Sequence, residues 1–149
     1  MGELKMEAAF NNEIKSKKGH TSCFEIVTFK SVSVVDGNKL NSIVKLDPQH
    51  PIFVGHFPGN PILPGVILIE MLKDIVERSL GTDLMLCSAS SIKFLYLIDP
   101  RQENVFSADV LTKPAGNAMV VDAIFHWGTH ICFKFSGEFI ALSQMNNGK

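Results

Sequence analysis

A histidine and a glutamate stand fourteen residues apart in two sharply different settings. His56 lies in Gly55-His56-Phe57-Pro58-Gly59-Asn60-Pro61-Ile62-Leu63-Pro64-Gly65, and Glu70 lies in the apolar run Val66-Ile67-Leu68-Ile69-Glu70-Met71-Leu72. Prolines 58, 61 and 64 fix φ at every third residue and push their predecessors toward extended backbone, so the loop is stiff and holds its imidazole in one place. Gly65 ends the loop where a helix can begin, with its first N–H groups free of intrahelical partners. The pattern offers a base and an acid in different environments, the minimum equipment for moving protons at neutral pH.

These residues need elements to hold them. The Gly65 start and the Gly81 stop predict a helix over about 65–80. Its first two turns are apolar except at Glu70 and its later turns carry Lys73, Asp74, Glu77 and Arg78, so the first half is expected buried and the second half solvated. At 100° per residue Glu70 shares a face with Val66, Ile67, Lys73, Asp74 and Glu77, and the plain alternative is that Glu70 merely opens the solvated face. The β-branched and aromatic stretch Ser22 to Val35, the turn Asp36-Gly37-Asn38 and Leu40 to Leu46 read as a hairpin. Further strands are expected at roughly 84–98, 103–113 and 118–142, the last split at Trp127-Gly128-Thr129. One helix with five or six strands suggests an α+β domain in which a sheet wraps around the helix. Residues 1–19 read as a variable extension with a short helix near Leu4–Phe10, and 20–149 as one domain.

Composition narrows the partners. A formal charge of −1 lacks the basic excess that a phosphate backbone requires, so nucleic acid is not expected. Cys23, Cys87 and Cys132 are odd in number and set among small or apolar residues, which favours reduced thiols in a cytoplasmic protein over a disulfide framework. Met1 to Lys18 mixes charges of both signs without an apolar core, and no apolar run reaches membrane-spanning length, so neither a secretory signal nor a membrane partner is expected.

The stretch from Gly55-His56-Phe57-Pro58-Gly59 through Pro64-Gly65-Val66 to Ile69-Glu70 resembles the active-site signature of the β-hydroxyacyl-acyl-carrier-protein dehydratases, a hotdog-fold family. The likeness is dense over 54–70 and looser over about 40–142, where Lys93-Phe94 and Asp99-Pro100 resemble the basic-aromatic strand and turn of that family. It implies an antiparallel sheet around one long central helix, a homodimer joined edge to edge, and an acyl carrier protein as partner. It further implies elimination of water from an (R)-3-hydroxyacyl thioester to give the trans-2-enoyl thioester, with no cofactor and no metal. His56 would take the C2 proton, while Glu70, kept protonated by its apolar setting, would supply the proton for the departing hydroxyl. The Gly65 N–H would receive the thioester oxygen at the helix N-terminus. Phe57, Val66, Ile69 and Phe94 would line the acyl tunnel. His56 itself is expected mostly buried, with one ring nitrogen bonded to a backbone carbonyl near Ile62 or Leu63, because a base of fixed tautomer is a better base, and the resemblance adds a cis peptide at His56-Phe57. In the family the histidine of one subunit faces the carboxyl of the other.

The sequence departs from the family at Met71 and Asp74, where alanine and glutamine are usual, and at Leu84-Met85-Leu86, where a tyrosine is often found. Asp74, one turn from Glu70, would oppose its ionisation by like-charge repulsion, with Lys73 acting the other way. His126 and His130 stand as opposing residues at a hairpin tip without a carboxylate or cysteine cluster to complete a metal site, and His50 reads as a loop residue. Lys93 and Arg101 are candidates for a basic entrance facing an acidic carrier. A hotdog thioesterase and a non-catalytic partner subunit are the alternatives. The first would need a group placed to activate water, and the second would not need both His56 and Glu70.

Overall fold

Alternation of apolar and polar side chains builds the sheet that positions the site. A computed structural model describes residues 26–143; the expected extension 1–19 and Cys23 lie outside them. In chain order the elements are β1 (Val27–Asp36), β2 (Lys39–Leu46), a one-turn helix α1 (Ile52–Gly55), α2 (Gly65–Leu80), β3 (Leu84–Phe94), β4 (Val105–Ala115), β5 (Ala118–Trp127) and β6 (His130–Ala141). The strands form one six-stranded antiparallel sheet in the order β1-β2-β4-β5-β6-β3. The connection from β2 through α2 therefore carries the chain to the far edge, where β3 pairs only with β6 among the described strands.

Strand β2 alternates strictly, burying Leu40, Ser42, Val44 and Leu46. The same inner face takes Phe106, Ala108 and Val110 from β4, Val121, Ala123, Phe125 and Trp127 from β5, and Phe133, Phe135 and Phe139 from β6. Ser42 is accommodated because its hydroxyl donates to the Ser31 carbonyl at 2.8 Å. Helix α2 supplies Ile67, Leu68, Met71, Leu72, Ile75 and Val76 to the same core. Its bounds agree with the sequence, and Gly81 ends it in the left-handed region (φ 68°), donating its N–H to the Glu77 carbonyl at 2.8 Å.

The expected burial of the two halves of α2 is corrected. Asp74 and Glu77 in the second half are buried, whereas Val66 in the first turn is 58% exposed. Glu77 can leave water because its carboxylate accepts the Leu84 N–H at 2.7 Å, tying the helix end to the first residue of β3. The face that carries Glu70 is accordingly Val66, Ile69, Glu70 and Lys73, at spacings of three and four, while Ile67, Asp74 and Glu77 turn inward. Helix α1 is not predicted from the sequence; the ring Nδ1 of His50 accepts the Ile52 N–H at 3.1 Å at its start. The β5–β6 turn is the two residues Gly128-Thr129, so Trp127 stands opposite His130 and His126 opposite Ile131, and the two histidines do not face each other. No described helix is long and apolar enough to cross a membrane.

Candidate active site

The loop that carries His56 is fastened to itself. The His56 carbonyl accepts the Ile62 N–H at 2.8 Å, Phe57 and Asn60 exchange both backbone bonds at 2.9 Å, and the ring Nδ1 of His56 lies 2.8 Å from the Ile62 carbonyl. A carbonyl oxygen can only accept, so Nδ1 bears the proton, and Nε2 of the neutral ring carries the free lone pair. His56 is half-buried, its ring stacked on Phe57 at 4.2 Å, and the peptide between them is cis, as the resemblance implied. The expectation of a mostly buried imidazole is thus met only in part.

Gly65 opens α2 after Pro64, whose extended backbone (φ −60°, ψ 134°) delivers the chain into the helix. A Cβ at Gly65 would sit 2.8 Å from Cε1 and 3.0 Å from Cζ of Phe94, so the absence of a side chain lets this ring lie directly against the helix start. Phe94 in turn stacks on Phe133 at 5.5 Å and remains 50% exposed. The site's aromatic wall is therefore made by the end of β3 leaning on a glycine.

Glu70 occupies a different place. It lines an open groove of about 490 Å³ between α2 and the β3 edge, together with Val66, Ile69, Lys73, Met85 and Phe139. Its side chain is 38% exposed, and Lys73 Nζ lies 3.8 Å from its Oε2. The apolar enclosure expected around this carboxyl is not provided by one copy of the chain: the groove is open, and Lys73 is part of its otherwise apolar wall. Within one chain the groove gathers Glu70, Val66 and Ile69, while His56 with Phe57 belongs to the fastened loop and Phe94 to the Gly65 contact.

One feature near the site was missed. Asp99, 8% exposed, accepts three bonds from Arg101: the backbone N–H at 2.9 Å and Nε at 3.1 Å on Oδ1, and Nη2 at 2.8 Å on Oδ2. These side-chain bonds hold its carboxyl below the usual range against the opposing effect of burial. The signal available was an acid and an arginine flanking Pro100 in a short connection. Arg101, a candidate for a basic entrance, is bonded to Asp99 while remaining 58% exposed, and Lys93 stands opposite Lys134 across the β3–β6 ladder.

Comparison with known proteins bears on the family and the fold. The family model of the ApeI dehydratases, ApeI-like, matches residues 32–120. The 3-hydroxyacyl-[acyl-carrier-protein] dehydratase FabZ of Thermoanaerobacter pseudethanolicus is 34% identical over 127 residues, covering 76% of this chain and 89% of that protein. The FabZ of Pelotomaculum thermopropionicum is 38% identical over 64 residues, covering 43% of this chain, and here the chain spans only 45% of the relative's length. Among solved structures, the dehydratase heterocomplex ApeI:P from Xenorhabdus doucetiae superposes with a TM-score of 0.65 at 18% identity, over 76% of this chain and 96% of that one. A hypothetical thioesterase with coenzyme A from Streptococcus pneumoniae gives 0.59 at 14% identity, over 90% and 94%, so the fold is shared by proteins named for different reactions. The six-stranded antiparallel sheet with its helix is a hotdog fold, and the chain belongs to the ApeI-like dehydratases, relatives of the 3-hydroxyacyl-acyl-carrier-protein dehydratases.

Proposed function

We propose that the chain dehydrates (R)-3-hydroxyacyl thioesters carried on an acyl carrier protein, giving trans-2-enoyl thioesters, in a site assembled from two copies of the chain. The observation that carries the reading is the bond from Nδ1 of His56 to the Ile62 carbonyl, because it leaves Nε2 as a base of fixed position. Nε2 takes the C2 proton, and the electron pair of that bond moves toward the thioester carbonyl, whose oxygen gains charge beside the Gly65 N–H. The pair then forms the C2–C3 double bond as the C3–O bond breaks, and the Glu70 carboxyl acts as the acid, supplying the proton with which the hydroxyl leaves as water. Val66, Ile69, Phe57 and Phe94 offer apolar surface for the acyl chain.

The two-copy arrangement is supported by what one chain leaves open. The β3 edge exposes Met85, Ile92 and Phe94, and the groove beside it leaves Glu70 facing outward. A second copy pairing along β3 would close the groove and bring its own His56 loop to the first copy's Glu70. Loss of either group alone should lower the rate by about 10²–10⁴. Mixing His56→Ala chains with Glu70→Gln chains should restore activity, because each heterodimer then holds one intact site. Heterodimers verified by mass spectrometry that stay as inactive as their parents would refute the shared site. A panel of (R)-3-hydroxyacyl thioesters of graded length tests the reaction itself: an absorbing enoyl product is expected, whereas release of free thiol would mark a thioesterase and no turnover a non-catalytic partner.

A further inference from the structure

The segment Pro61-Ile62-Leu63-Pro64 links the proposed base to the proposed oxyanion donor, and its prolines leave it two backbone N–H groups. The Ile62 N–H goes back to His56, and the Leu63 N–H goes to the Ile98 carbonyl at 2.9 Å. The Pro64 carbonyl is taken by Ile67 inside the helix start, and the Ile62 carbonyl by the His56 ring. The bond from Leu63 to Ile98 is therefore the one by which this segment's donors reach the neighbouring connection. Ile98 and Leu63 are both buried, and the residue after Ile98 is Asp99.

We infer that the Asp99–Arg101 fork is a positioning device for the dehydration site, fixing through Ile98 and Leu63 where the His56 loop and the Gly65 amide stand relative to the sheet. The inference rests on the reaction proposed above. Arg101 fills both carboxylate oxygens of Asp99 and adds its own backbone N–H, while the Gln102 N–H bonds the Asp99 carbonyl at 3.1 Å, so residues 99–102 form one tied turn. A guanidinium can bond two oxygens through a planar fork, which an ammonium cannot imitate. With the turn tied, the Ile98 carbonyl has one place, and so has the Leu63 N–H that bonds it. Leu63 adjoins Ile62, whose carbonyl sets the His56 tautomer, and lies two residues before Gly65. Neither Asp99 nor Arg101 needs to touch the substrate. A shift of about 1 Å in such a segment is enough to cost on the order of 10²-fold in rate.

The test uses the full chain with Arg101→Ala, and Arg101→Lys as the second variant should the first not fold. Both should lower kcat, by about 10- to 100-fold for Arg101→Ala, with KM changed less than about two-fold. Because Arg101 is 58% exposed, guanidinium added to the solvent should recover part of kcat in Arg101→Ala, which a general loss of folding would not allow. Independently of turnover, the NMR signal of the His56 Nδ1 proton, assigned by its absence in His56→Gln, should shift or broaden in either variant. An unchanged signal together with unchanged kcat in a folded variant overturns the positioning role. If the wild-type chain does not dehydrate hydroxyacyl thioesters, the reaction reading fails, while the His56 signal still decides whether the fork positions the loop.

Discussion

Gly137→Ala probes the edge on which the proposed site depends. Gly137 lies on β6 opposite Ala89, beside the register shifts that interrupt β3 between Leu86 and Ser88 and between Ala89 and Ser91. A Cβ there would sit 2.5 Å from the Ser88 carbonyl oxygen, 2.7 Å from Cζ of Phe135 and 3.0 Å from the Ala89 Cα. Phe135 is buried and the other two atoms are backbone, so none can swing aside. Restoring an ordinary contact of about 3.4 Å requires β3 to retreat by about 0.9 Å, which loosens the adjoining ladder bonds. Overpacking of this kind costs about 1–3 kcal/mol, and one or two weakened bonds add about 0.5–1.5 kcal/mol each. Reduced freedom of the unfolded chain returns about 0.4–1 kcal/mol, leaving a net loss of about 0.5–5.5 kcal/mol. At about 2–4 °C per kcal/mol, Tm should fall by about 1–22 °C. Thermal unfolding followed by circular dichroism reads this directly. Gly55→Ala, whose added Cβ meets nothing within 4 Å, serves as the stability control. Activity should fall as well, because Leu84, Met85, Leu86 and Phe139 form the wall of the Glu70 groove. A Gly137→Ala protein as stable as the wild type would refute the claim that β3 and β6 are in backbone contact at this point.

Other outcomes follow from single contacts. Glu77→Ala leaves the buried Leu84 N–H without its acceptor and should destabilise by about 1–3 kcal/mol, measured by urea unfolding; a change under about 0.5 kcal/mol would contradict the tie between α2 and β3. Asp99 has its folded pKa depressed chiefly by the Arg101 side-chain bonds, so its contribution is full above the unfolded carboxylate pKa of about 3.9 and is lost as pH falls through the lower folded value. Asp99→Asn should therefore be less stable than wild type at neutral pH, with the difference shrinking below about pH 4; a difference that grows in acid would reverse the assignment. Burial raises the Cys132 thiol pKa to about 12, whereas Cys87 is exposed. Iodoacetamide at about pH 8 should label Cys87 in the folded protein and Cys132 only after denaturation, as mapped by peptide mass; ready native labelling of Cys132 would refute its burial.

Much of this molecule is local in origin and therefore visible in the chain. Helix α2 begins and ends where Gly65 and Gly81 say it must, because a proline-terminated loop and a left-handed glycine are decided within a few residues. The hairpin of β1 and β2, the division of β5 from β6 and the stiff His56 loop are likewise short-range consequences of turn chemistry and alternation. The pairing of His56 with a carbonyl at Ile62 lies within one loop and was legible for the same reason.

What the sequence could not decide is which polar groups the packing buries and which segments it brings together. Helical periodicity gave Glu77 and Asp74 to solvent, but a polar residue can be buried wherever a backbone group satisfies it, and Leu84 does this for Glu77 once β3 is laid against α2. The same periodicity could not tell that Glu70 would look into an open groove beside Lys73, since the groove exists only once β3 has crossed to the far edge of the sheet. His126 and His130 looked opposed, but the hairpin turns on Gly128-Thr129 alone, which pairs Trp127 with His130 and His126 with Ile131. Asp99 beside Arg101 is buried, which its place in the sequence does not show. Residue types and spacing determined which groups could do chemistry; the crossing of β3 and the burial of polar groups determined where those groups stand, because strand order and desolvation are properties of contacts between segments and not of any one segment.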